Sequence, residues 1–112
     1  MATATKTQTR LTETFGTTST DNVDYRAIFK AGNEKYRVSI RRNTYDFQSH
    51  ARVDILLLAA GWVELINLHH NDFAGDLHAP IANRSITPAD RKLQMQRLAA
   101  ELVTDAHRTY TA

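Results

Sequence analysis

Apolar and polar residues alternate with a period of two along much of the first half of the chain. Tyr36, Val38 and Ile40 alternate with Lys35, Arg37, Ser39 and Arg41, the pattern of a strand with one buried face. Val23 to Lys30 reads the same way, with Tyr25, Ala27 and Phe29 on one side. Ala31-Gly32-Asn33-Glu34 separates the two runs and predicts a turn, since Gly and Asn tolerate positive φ. A third strand is expected from Ser49 to Leu58. It alternates through Ala51, Val53 and Ile55, then becomes apolar on both sides from Ile55 to Leu58. Such a run calls for cover on both faces, by an overlying element or a partner chain. Ala59-Ala60-Gly61 predicts the next turn. Trp62 to His69 predicts a fourth strand, its apolar load on Val63, Leu65 and Ile66.

The period then changes. Thr87-Pro88-Ala89-Asp90 is a helix start, with a threonine N-cap, proline at N1 and an acid at N3. Met95, Leu98, Ala99, Leu102, Val103, Ala106 and Tyr110 follow on one helical stripe, while Leu93 falls on the opposite side. The helix is expected to reach Tyr110. The element order predicts an α+β fold: an antiparallel four-stranded meander with one C-terminal helix packed on its inner face.

Two segments lack this periodicity. Residues 1–22 are rich in threonine, with Leu11 and Phe15 as the only large apolar residues after Met1. A flexible N-terminal arm is the reading composition favours. Thr9 to Phe15 as an edge strand is the alternative, since threonine suits strands. Residues 23–112 are then one α+β domain. Asn71 to Ile86 is aperiodic, and a connection of that length is functional or mobile more often than structural.

Composition narrows the chemistry. The 112 residues include no cysteine, which excludes disulfides, thiolate zinc sites and a cysteine nucleophile. No apolar run approaches the length needed to span a bilayer and no apolar leader follows Met1. A cytoplasmic protein with no membrane partner and no cofactor is expected. The formal net charge is only +2, yet the alternation sorts the cations to one side. Arg26, Lys30, Lys35, Arg37, Arg41 and Arg52 all fall on the outer face of the predicted sheet, with Asp54 the main acid among them and Asp24 at its edge. A plate of this kind attracts phosphates or an acidic protein surface. The plain alternative is a solvated strand face that deters aggregation. No aromatic residues interleave with these charges as a base-stacking platform requires.

Other constellations are weaker. His69, His70, Asp72, Asp76 and His78 lie close in sequence but match no established metal-ligand spacing. Ser49 and His50 are strand neighbours that face apart, so with Asp54 they make no hydrolytic triad. No phosphate-binding loop, zinc-protease or dinucleotide motif occurs. A non-enzymatic protein is expected. Trp62, the Ile55–Leu58 run, Leu93 and Tyr110 exceed what one helix covers, which leaves a homodimer open.

The segment from Tyr36 to Val53, YRVSIRRNTYDFQSHARV, followed by Gly61-Trp62-Val63-Glu64, resembles uncharacterised small accessory proteins of bacteriophages and mobile elements, those of actinobacteria above all. The resemblance covers Tyr36 to Leu68. It implies a viral accessory protein made in the host cytoplasm, one that binds a host factor, a defence complex or nucleic acid. A protein partner is the leading expectation and nucleic acid the alternative.

Overall fold

The structure is a computed structural model. It describes residues 8–19, 22–43, 48–73 and 86–111. Five strands, β1 (Gln8–Ser19), β2 (Asn22–Ala31), β3 (Glu34–Asn43), β4 (His50–Leu57) and β5 (Gly61–His69), precede a 3-10 turn (His70–Phe73) and the helix α1 (Pro88–Thr111). The strands pair only with their sequence neighbours, all antiparallel, in the order β1-β2-β3-β4-β5. The fold is thus the expected α+β meander with one C-terminal helix, with five strands where four were expected.

The additional strand is β1, so residues Gln8–Ser19 take the edge-strand form. Its alternation is hard to see because its inward positions are mostly polar. Phe15 packs against the core, whereas Gln8 and Glu13 are held by hydrogen bonds. Gln8 Nε2 donates to the Ala100 carbonyl at 3.1 Å and to Thr104 Oγ1 at 3.2 Å. Gln96 Nε2 and the Tyr25 hydroxyl both donate to Glu13 Oε2 at 2.7 Å. Polar contacts to α1 therefore dock a strand that hydrophobic burial alone would hold weakly.

The core lies between the inner face of β2–β4 and one stripe of α1. Tyr25, Phe29, Tyr36, Val38, Ile40, Val53 and Ile55 meet Met95, Leu98, Ala99, Leu102, Val103 and Ala106. Tyr110 departs from the expected stripe and is exposed, as is Leu93. One turn before Tyr110, His107 already reaches the β2–β3 turn, where its ring lies 3.2 Å from the point a Cβ on Gly32 would occupy. The last turn of α1 thus extends past the contact that ends the interface. Thr87 caps the helix reciprocally: Asp90 N–H donates to Thr87 Oγ1 at 3.2 Å, and Thr87 N–H donates to Asp90 Oδ2 at 2.9 Å.

Both outer strands are bulged. In β1 the register advances two residues between Arg10 and Thr12, leaving Leu11 extra. In β5 it advances two between Ile66 and Glu64, leaving Leu65 extra. Both leucines are exposed. Bulges twist an edge and interrupt its row of hydrogen-bonding groups, so neither edge is a clean template for another strand.

Of the two covers expected for the double-sided run of β4, an overlying element is found on the inner side only among the described residues. Ile55 is fully buried, but Leu56 and Leu58 are exposed, Leu58 completely. Leu56 points to the outer face, which no described element covers, and Leu58 begins the β4–β5 turn.

Candidate basic sheet face

Strand alternation puts all six predicted cations on the outer face. The inner partners of β2 and β3 are the buried Tyr25, Ala27 and Phe29 and the buried Tyr36, Val38 and Ile40. Arg26, Lys30, Lys35, Arg37 and Arg41 occupy the intervening positions, and Arg52 does so on β4 between buried Ala51 and Val53. Register aligns them into rows across the sheet. Arg26 pairs with Ser39, which pairs with Arg52; Lys30 pairs with Lys35.

The acids on this face are more influential than sequence suggested. Asp54 is only 2% exposed although it lies on the open side of the sheet. Its Oδ2 accepts from Arg37 Nε at 3.2 Å and Nη2 at 2.9 Å, and its Oδ1 accepts from Arg52 Nε at 2.8 Å. Two arginine side chains thus roof one carboxylate. Arg52 Nε also stands 3.5 Å from Glu64 Oε1. The hydrogen bond that Arg52 donates to Asp54, and next the Asp54 charge, raise the Arg52 pKa above its ordinary value. Arg41 Nε contacts Asp24 Oδ1 at 3.0 Å, a pair half open to solvent on both sides. Shallow depressions of about 280 and 360 Å³ flank it.

Arg37, Arg41 and Arg52 are therefore the cations engaged by acids. Among the described residues Arg26, Lys30 and Lys35 form no ion pair. Six cations against Asp24, Asp54 and Glu64 leave a formal +3 on the strands of this face, more than the +2 of the whole chain.

An aromatic residue does belong to the face, contrary to the sequence reading. Trp62 lies under Arg37, whose Cζ is 4.6 Å from the ring. The bulge at Leu65 hides this placement. Val63 is on the inner side, and so are Ile66 and Leu68, so the inward parity switches within β5. A run whose apolar positions change from odd to even is the available sequence signal for such a bulge.

The other candidates separate. Ser49 Oγ accepts from Asn43 N–H at 3.0 Å, and Ser49 N–H donates to His70 Nδ1 at 3.2 Å. His50 turns to the outer face, its Nε2 2.8 Å from Asn67 Oδ1 and its ring centroid 5.6 Å from that of His69. His69 and His70 thus engage different neighbours. Among the described residues no group of three His, Asp or Glu is placed to hold a metal ion. Asp76, His78 and most of the Asn71–Ile86 connection lie outside the described residues. No helix is long and apolar enough to cross a membrane, among the described residues.

No known protein family, curated protein or solved structure matches the chain.

Proposed function

We propose that the chain is a non-enzymatic binding protein that acts stoichiometrically on a protein target, with the outer sheet face as its contact surface. The observation that carries this reading is Arg37, held between buried Asp54 and the Trp62 ring on a face that no described element covers. Arginine and tryptophan dominate the energetics of protein interfaces. Holding them in place before contact removes much of the ordering cost of association. Arg26, Lys30 and Lys35, which form no ion pair among the described residues, steer the approach toward an acidic surface. The setting, a phage accessory protein acting on a host factor or defence complex, rests on the resemblance over Tyr36 to Leu68.

Nucleic acid is the second reading, favoured by the net +3 of the face. Two observations weigh against it. Three of the six cations already face carboxylates, and the Trp62 ring that a base would stack on is occupied by Arg37.

One experiment separates the readings. The wild-type protein, an Arg37→Ala/Trp62→Ala variant and an Arg26→Glu/Lys30→Glu/Lys35→Glu variant serve as bait in host lysate and as titrants of duplex DNA, single-stranded DNA and RNA. The expected result is one stoichiometric protein partner, lost with either variant, and no nucleic-acid shift at low salt. A salt-sensitive shift abolished by the triple variant would replace this reading with the second.

A further inference from the structure

The β4–β5 turn goes beyond that reading, at the end of the outer face, where the surface shares Lys30, Lys35 and Trp62 with the proposed protein contact and adds the tip residues Leu56 and Leu58. Leu56, Leu58, Ala59 and Ala60 are all exposed, within an unbroken apolar run that ends at Gly61-Trp62. Tight turns are ordinarily polar, and consecutive exposed apolar residues without a use are a liability. Gly61 closes the turn at a φ of 75°, so the tip is a formed turn with its side chains directed outward.

The surroundings of the tip are cationic. Tyr36 pairs with Ile55, so one further step along the two strands brings Lys35 beside Leu56, and Lys35 itself pairs with Lys30. Leu56 in turn pairs with Trp62. A single row across the outer face therefore reads Lys30, Lys35, Leu56, Trp62, with Leu58 beyond it at the end of the hairpin. Neither lysine has an ion-pair partner among the described residues.

We infer that this hairpin tip inserts into the surface of an anionic lipid bilayer. Leu56, Leu58, Ala59 and Ala60 present exposed apolar side chains around the turn, so the occupant must receive apolar groups. That occupant must also be negative at the level of the lysines and apolar past it. At roughly 3.3 Å per residue, Leu58 lies about 7 Å beyond the lysine row. This matches the roughly 5–10 Å depth at which apolar side chains seat below lipid headgroups. Lysine stems extend toward headgroup phosphates while their carbons stay on apolar surface, anionic lipid attracts such residues, and tryptophan favours the same boundary. A second copy fits less well, because a two-fold contact through the tip sets the Lys30–Lys35 row against itself. The expectation of no membrane partner rested on the lack of a spanning segment and a leader, which does not bear on a turn. Contact by one tip is weak and reversible.

Trp62 is the only tryptophan in the chain and sits at the base of the tip, so its emission reports insertion. Phosphatidylcholine vesicles with and without phosphatidylserine are titrated into the protein, with co-sedimentation in parallel. The expected result is a blue shift and co-sedimentation with the anionic vesicles only, weakening as salt rises. Leu58→Glu and Lys30→Glu/Lys35→Glu should each reduce partitioning by about tenfold or more, with unchanged far-ultraviolet circular dichroism. Leu58 makes no core contact, so its replacement leaves the fold intact. Absence of binding to anionic vesicles, or a Leu58→Glu variant that partitions like wild type, overturns the inference. So does a dimer in sedimentation equilibrium that Leu58→Glu dissociates, which would assign the tip to a second copy. Arg37→Ala keeps Leu58, Lys30 and Lys35 and is followed by co-sedimentation, because Arg37 lies over Trp62; Leu58→Glu changes no residue of the proposed protein contact, so loss of the protein contact and loss of lipid contact are read separately.

Discussion

Arg37 donates twice to Asp54, at 3.2 and 2.9 Å, and in doing so covers a carboxylate on the uncovered side of the sheet. This pair differs in kind from Arg41 and Asp24, where both partners remain half open to water. Asp54→Ala is expected to destabilise the fold by about 1–3 kcal/mol, because two arginines lose a shared charged acceptor. Asp24→Ala is expected to cost less than about 1 kcal/mol. Urea denaturation midpoints distinguish them, and only Asp54→Ala should alter Trp62 emission, since it frees Arg37 from above the ring.

Glu13 contributes to the response to acid. The hydrogen bond from Tyr25 lowers its pKa most; burial opposes this, and Gln96, Arg10 and Lys92 reinforce it. The Tyr25 hydroxyl moves the other way, raised by burial and then by Glu13. A carboxylate that holds its proton less tightly when folded stabilises the fold above its unfolded pKa, and that contribution disappears as pH falls through the folded value. Glu13→Gln should therefore flatten the loss of stability below the ordinary 4.5 and cost about 1 kcal/mol at neutral pH. Thermal midpoints from pH 7 downward test both halves.

At the alkaline end Tyr36 has the corresponding role. Burial, with help from Glu34 and Tyr110, pushes its hydroxyl from 10.0 up to about 12. The folded protein keeps this proton where the unfolded chain releases it, so stability falls as pH rises between those two values. Tyr36→Phe should reduce that slope, with Tyr25, raised in the same direction, accounting for part of what remains. At neutral pH it should cost about 1 kcal/mol, since His107 Nδ1 loses the hydroxyl 2.7 Å away.

Two glycines make a matched comparison. Gly32 and Gly61 both have positive φ, 61° and 75°. An added Cβ at Gly61 meets open space, whereas at Gly32 it meets the His107 ring at 3.2 Å. Gly61→Ala should cost about 1 kcal/mol for the backbone alone. Gly32→Ala should cost measurably more, with added loosening of the helix end seen as faster amide exchange near His107.

Strand alternation in β2, β3 and early β4 was legible because their inward residues are apolar apart from Glu34 and the buried Arg42 near the ends of β3. The helix was legible from Thr87 and the stripe ending at Ala106. What escaped followed from polar docking and from broken parity. Gln8 and Glu13 face inward but carry no hydrophobic signal, so β1 read as an arm more readily than as a strand. Leu65 shifts the phase of β5, so Trp62 was not placed beside Arg37. The six cations were located correctly on one face from period two alone. Which of them are neutralised was not, since this depends on Asp24, Asp54 and Glu64 meeting them across neighbouring strands. Arg52 and Asp54 stand two apart, and Arg37 and Asp54 seventeen apart, and composition carries no trace of either pairing.

Because α1 follows all five strands, order of synthesis matters. Every strand of the meander leaves the ribosome before the helix that closes it. Each hairpin can zip with its predecessor as it emerges, but Tyr25, Tyr36, Ile40 and Val53 stay wet until Met95 to Ala106 arrive. The nascent sheet is thus a surface with no lid until α1 has been made. A stop codon ahead of Leu98 would make that interval permanent, leaving a paired sheet whose apolar side is open to chaperones and to its own kind.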